Sequence, residues 1–231
     1  MDLLATIRGT GSVRDFTDES VDDAVLGRIL DNARFAPNGG NRQAWHVVVV
    51  KDRAKRDELR SLYEGPWRDY IALTTDGITP WAPIGDRAHE DDVVEAARAS
   101  GDFDQLSADR TAVTFRAPVI LAVFGDLERL VATDRDLGRY TMVAGASIYP
   151  FVWNILLASR TEGLGGVITT MHARVEPEIR DLLEVPDNLA LACVLFIGHP
   201  VHQPTRLRRL PVHEFVTIDS VAGEPFDVEH P

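Results

Sequence analysis

Cysteine is almost missing from this chain: Cys193 is the only one in 231 residues. An intrachain disulfide is therefore impossible, and a cytoplasmic location is the expectation. Long apolar runs are missing too. No stretch approaches the roughly 18 apolar residues that span a bilayer, and the first residues lack the charged-then-apolar order of a signal peptide. Basic residues are outnumbered, 24 Lys and Arg against 36 Asp and Glu, leaving a formal net charge of −12. That balance argues against nucleic acid or an anionic membrane as partner, because both need a basic face. Any local cluster of arginines in so acidic a chain then becomes informative.

Familiar catalytic signatures are also missing. The seven histidines form no His-Glu-x-x-His pair and no zinc spacing with cysteine, so no metal is expected; His199 and His202 merely share a proline-bounded loop. There is no Gly-x-Ser-x-Gly elbow and no Walker loop. Gly163-Leu164-Gly165-Gly166 follows a helical pattern instead of a strand, the reverse of the dinucleotide-binding order. It reads equally well as a helix C-cap.

What is present is enough for one globular core: 45% of residues are hydrophobic, at a length that fits a single domain. Periodicity predicts a turn or two of helix at 2–9, and a helix over 21–35 led by Ser20 and Asp23 as a capping pair. Pro37 to Asn41 ends that helix. Strands are expected at 45–51, 117–124, 167–170 and 189–197, and further helices at 53–62 and 176–184. A long helical pattern over 138–160 contains Pro150, which requires either a kink or a later start. Residues 63–113 carry Gly65-Pro66, Pro80 and Pro83 and then an acidic run, a pattern that reads as a lid or insertion. Helices and strands interleave, giving an α/β or α+β sandwich; Cys193 and the tryptophans are read as core.

Three clusters share a chemical theme. Arg8, Ser12 and Arg14 lie near the start, Pro37 to Trp45 (with Asn38, Gly39, Gly40, Asn41 and Gln43) in the first turn, and Arg206, Arg208 and Arg209 near the end. Arginines grip phosphate through bidentate, charge-assisted hydrogen bonds. Glycines let a backbone lie against a flat ring, and Asn or Gln pairs with ring carbonyl and imide groups. Together they describe a site for a phosphorylated heterocycle.

Residues 8–16 resemble the arginine-rich N-terminal signature of the FMN-dependent nitroreductase family, and 37–45 resemble its Pro-Ser-x-x-Asn-x-Gln-Pro-Trp signature. Gly163 to Gly166 is similar to its glycine-rich loop, and Arg206 to Glu214 to its closing basic segment. The resemblance implies one domain over 1–231 with an α+β fold, a three-layer α-β-α sandwich around a mixed, mostly antiparallel sheet. It further implies an interlocked homodimer with FMN at the interface, 63–113 shaping the substrate pocket and 205–231 embracing the partner. Arg8, Ser12 and Arg14 would then bind the ribityl phosphate and pyrimidine edge, the Asn38 to Gln43 loop would line the flavin, and backbone N–H groups at Gly165 and Gly166 would approach N5. Arg209 best matches the phosphate ligand, with Arg206 and Arg208 as alternatives. NAD(P)H would reduce the flavin, and a nitroaromatic, quinone or enone would reoxidise it in ping-pong fashion. A reductive dehalogenase, a flavin-fragmenting enzyme and a flavin carrier without turnover stay open.

The match departs from the family pattern in several places. Thr10-Gly11 replaces a paired arginine, Asn38 a serine and Ala44 a proline, and Leu207 sits where a basic residue is usual.

Overall fold

The computed structural model describes residues 2–227. Its centre is a four-stranded sheet in the order β1 (Trp45–Val49), β2 (Val119–Asp126), β4 (Leu189–Gly198), β3 (Gly165–Thr169), every pair antiparallel. One isolated parallel bridge, Ser12 to Gly166, adds residues 12–13 along the free edge of β3.

The two central strands are apolar on both sides, the pattern of a sheet covered on both faces. Val119, Leu121 and Val123 of β2, with Cys193, Leu195 and Ile197 of β4, face one core; Ile120, Ala122 and Phe124, with Val194 and Phe196, face the other. Helices α2 (Asp23–Ala33) and α6 (Tyr149–Thr161) cover the first core through Leu26, Ile29, Ala33, Val152 and Ile155. Helices α3 (Arg53–Thr75) and α7 (Glu176–Leu183) cover the second through Leu59 and Ile179. The result is the expected three-layer sandwich. A bulge after Val123 pairs Phe124 with Leu191, so Ala192 and Cys193 both turn to the first core. Burial pushes the Cys193 thiol up to about 12, leaving it an inert core residue.

Helix α2 begins two residues later than periodicity suggests. Asp22 is the cap, its Oδ1 accepting from the Ala24 N–H at 2.8 Å, and Ser20 lies outside. The 138–160 pattern resolves in favour of the later start: α6 opens at Tyr149 with Pro150 in its first turn, where a missing N–H costs nothing. It ends in a Schellman arrangement, with Gly163 at φ 79° and the Leu164 N–H donating to the Ser159 carbonyl at 2.9 Å.

The largest departure lies in 63–113, which is mostly helical. Helix α3 continues through Gly65-Pro66 to Thr75, and α4 (Arg87–Ser100) and α5 (Asp104–Thr114) pack against it. An interior proline costs a helix about 3 kcal/mol. Here Pro66 is itself buried, and Leu59, Tyr63, Ile71 and Leu73 bury apolar surface along the same helix. Burial overrides the local signal. The acidic run is the polar side of α4, capped by Asp86 and stopped by Gly101 at φ 70°.

Ile155 is fully buried between α6 and the sheet. Ile155→Ala is expected to lower unfolding stability by about 2–5 kcal/mol, read from urea denaturation with an unchanged slope.

Candidate functional site

Helix α1 (Leu3–Gly9) is capped by Asp2 and leaves Arg8 exposed in its last turn. The chain then straightens, and the Val13 N–H donates to the Gly166 carbonyl at 2.9 Å. Val13 and Phe16 point into the core, which turns Ser12 and Arg14 outward. The fit is tight. A side chain on Gly165 would stand 2.7 Å from Val13 Cγ2, and one on Gly166 would stand 2.8 Å from both Leu156 Cδ2 and the Phe196 carbonyl.

The C-terminal cluster reaches the same place. After β4 the chain pairs with the N-terminal segment, as the Thr17 N–H donates to the His199 carbonyl and the Val201 N–H to that of Asp15. Pro204 and Leu207 then close on Gly11, with Leu207 Cδ2 only 2.8 Å from where a side chain would begin. Two departures from the family pattern, Gly11 and Leu207, are thus one packing contact. Arg206, Arg208 and Arg209 emerge exposed from this seam, Arg209 donating only to the Arg208 carbonyl, at 2.6 Å. Against Gly165, the buried Gln203 Oε1 has no hydrogen-bond partner among the described residues.

The Asn38–Gln43 loop lies elsewhere. The Gln43 N–H donates to Asn38 Oδ1 at 2.8 Å and the Gly39 N–H to Ser147 Oγ at 3.0 Å. Gly40, Asn41 and Gln43 all take positive φ, at 61°, 52° and 49°. Such angles are strained for Asn41 and Gln43, and strain of this kind gathers at binding loops. The loop leads into the start of β1, level with Gly125 and Ala190, while Ser12 bridges Gly166, level with Ile197 and Val119, so the clusters occupy opposite edges and opposite ends of the sheet. Three strand spacings, roughly 14 Å, separate those edges. One chain unites the first and third clusters and leaves the second apart. Trp45, the last residue of that motif, stacks on Phe151 at 4.6 Å as core.

Gly165 and Gly166 are buried, so their missing side chains serve strand packing. The backbone of β3 that solvent can reach lies at its far end, around Ile168, Thr169 and the exposed Thr170. Tyr63 from α3 meets that end, its hydroxyl 3.3 Å from Thr169 Oγ1. Burial raises the Tyr63 pKa, opposed by the Thr169 hydrogen bond and the nearby charge of Arg14. Sequence reasoning missed Tyr63 and Thr169; a polar doublet closing an apolar strand was the available signal.

Two buried titratable groups brace the surroundings. Asp134 accepts from the Met142 N–H and the Thr141 hydroxyl, and from Arg139 Nη1, which together hold its carboxyl well below the usual carboxylate range. It ties down the segment before α6. His172 lies fully buried against Tyr63, Nε2 hydrogen-bonded to the Leu59 carbonyl at 3.0 Å and Nδ1 without a partner. Burial lowers its pKa to about 4, only partly offset by the Leu59 bond. Among the described residues no group of histidine, cysteine and carboxylate could hold a metal ion, and no helix is long and apolar enough to cross a membrane.

A helix-flanked antiparallel sheet with an arginine-bearing segment along one edge and a strained Asn-Gly loop at the other defines a recognisable class. Residues 7–199 match the family model described as "Nitroreductase family", and the chain belongs to that family of oxidoreductases. A 4-nitrobenzoate reductase of Nocardioides sp. (strain LMS-CY) is 26% identical over 92% of this chain and 88% of that protein. The human iodotyrosine deiodinase 1 is 24% identical over 89% of this chain and 64% of its own. The fold is shared with the NADPH:FMN oxidoreductase from Vibrio harveyi complexed with NAD+, at a TM-score of 0.66, 21% identity, and coverage of 94% of this chain and 76% of that one. It is shared too with an FMN and NADPH-dependent nitroreductase of Sphigopyxis sp. strain HMH, at a TM-score of 0.65, 22% identity, and coverage of 95% and 100%.

The His172 environment has a pH signature. An unfolded histidine titrates near 6.5, so below that pH the unfolded chain takes up a proton that the folded chain refuses until about 4. Stability is therefore expected to fall as pH drops from about 6.5 to about 4. His172→Phe should flatten that part of the curve, measured by urea unfolding at stepped pH.

Proposed function

We propose that this protein is an FMN-dependent oxidoreductase of the cytoplasm, working as a homodimer and carrying reducing equivalents from NAD(P)H to a nitroaromatic, quinone or enone acceptor. The observation that carries this reading is the Gly11–Leu207 seam, which draws the arginines of both chain ends to one edge of the sheet in a chain of net charge −12. So much unneutralised guanidinium in one place suits a phosphate. The orphaned Gln203 carbonyl in the same seam fits a bound group that donates a hydrogen bond.

FMN, when bound, supplies the electron transfer, and the protein supplies orientation and charge. Arg8, Ser12, Arg14 and Arg209, with Arg206 or Arg208, would hold its phosphate and pyrimidine edge. The Asn38, Gly39, Gly40, Asn41 and Gln43 loop would line the ring from a second copy of the chain, since one copy leaves it on the far edge. The far end of β3, around Ile168 to Thr170, would offer backbone N–H groups to the ring in place of the buried Gly165 and Gly166. Reductant and acceptor would use the same open face in turn.

A second copy also accounts for the apolar surface. Leu3 is 66% exposed on α1, Phe215 65% and Val221 98% on the tail, and Trp153 projects from α6. Exposed apolar residues on three separate elements are the surface a second copy would cover. Residues 205–227 would wrap the partner; the remaining expected residues of that segment, 228–231, lie outside the described ones. The 63–113 region would wall the acceptor pocket, though with helices instead of a loose lid. Reductive dehalogenation is the second reading, favoured by the iodotyrosine deiodinases among the relatives.

Purified protein is expected to be yellow, with flavin absorbance near the usual ~450 nm band; colourless protein that takes up no added FMN overturns the proposal. Arg14→Ala and Arg209→Ala are each expected to weaken FMN binding by about 1.5–3 kcal/mol, the scale of a charge-assisted hydrogen bond, in a fluorescence titration of the apoprotein. Steady-state turnover of nitrobenzene against an iodinated phenol separates the two readings.

A further inference from the structure

Arg42 sits inside the loop that leads into β1, yet the flavin reading gives it no role. Its guanidinium folds back across the turn, donating to the Gly39 carbonyl at 3.2 Å and occupying the space a Gly40 side chain would need. Arg129, from the turn after β2, donates to the carbonyl of Arg42 itself. Backbone oxygens thus fasten two guanidiniums to one turn, and neither has an ion-pair partner among the described residues.

They lie along a groove of about 520 Å³ between this loop and residues 127–136. The groove's third arginine, Arg135, is already matched to Asp136 at 3.5 Å, and the remaining acid on its wall, Glu128, is solvent-exposed. Backbone carbonyls leave both positive charges unneutralised, and an oxyanion bound in this groove can draw on both planar forks. In a chain carrying twelve more acids than bases, two arginines left without carboxylates mark a place kept for an external anion.

We propose that Arg42 and Arg129 form an oxyanion-recognition site for the substrate that docks beside the flavin loop, taking either a phosphate of NAD(P)H or the carboxylate of an aromatic acceptor. The inference rests on the flavin reading above. It adds a determinant of which molecules reach the ring. The strain at Asn41 and Gln43 then has a second use, since it presents Arg42 outward between them.

The test uses FMN-loaded enzyme carrying Arg42→Gln or Arg129→Gln. KM and kcat are measured for NADPH, NADH, 4-nitrobenzoate and nitrobenzene, and NADP+ binding is followed by perturbation of the flavin spectrum. A rise of about ten-fold in KM for an anionic substrate is expected, with nitrobenzene unchanged, the scale of one lost charge-assisted bond. A rise confined to the dinucleotides, with weaker NADP+ binding, assigns the phosphate; one confined to 4-nitrobenzoate assigns the carboxylate. No change in any substrate overturns the proposal. So does an equal rise for nitrobenzene and 4-nitrobenzoate, which reports loop damage, or loss of bound FMN, which gives the pair to the flavin phosphate. Should a variant fail to fold, the wild-type enzyme is titrated with salt. KM for the anionic substrate must climb with ionic strength while that for nitrobenzene does not, and equal insensitivity overturns the site. Protein that never acquires FMN sinks the flavin reading itself, a separate result.

Discussion

The free edge of β3 is the constraint on which the rest depends. An unpaired strand edge leaves backbone donors and acceptors open, and here residues 11–14 close it through the Val13 N–H and the Gly166 carbonyl. That closure is possible only because Gly165 and Gly166 carry no side chains against Val13, Leu156 and Phe196. With Val13 buried, alternation sends Ser12 and Arg14 outward. The edge contact therefore sets both the end of the sheet and the direction of the first arginines.

The second closure builds on the first. Residues 199–207 run back over 11–17, and Leu207 fills the hollow above Gly11. A basic residue at 207 would have met the neighbouring arginines with like charge. An apolar one converts the seam into packing and leaves the flanking arginines to face outward. Charge is thus concentrated at the rim of an apolar joint.

Much of the sandwich was legible in the sequence because the central strands are continuous apolar runs and the breaks fall at Pro37 to Asn41, Gly163 and Glu176-Pro177. Element ends were misplaced by a residue or two wherever capping decided them, as with Asp22 in place of Ser20. The helices within 63–113 were not legible for a physical reason: they are stabilised by packing on α3, whose Pro66 is buried. Local propensity carries no record of that. In the candidate site the arginines and the Asn-Gly loop could be named from residue type. Their grouping could not, since it depends on which sheet edge each segment meets. Tyr63 and Arg129 were invisible for the same reason: neither belongs to a motif, and each matters through what tertiary structure sets beside it, while Thr169 offered only the polar doublet that closes its strand.

The bulge at Ala192 has its own consequence. By placing Ala192 and Cys193 on the same side of β4, it gives the strand a different phase before and after that point. Closing the bulge, so that β4 met β2 in one unbroken register, would turn one half of β4 over and send its side chains to the opposite core. The irregularity works as a key: each half of β4 keeps its own phase only with the extra residue at Ala192, and the end of the sheet that bears the strained loop inherits that phase.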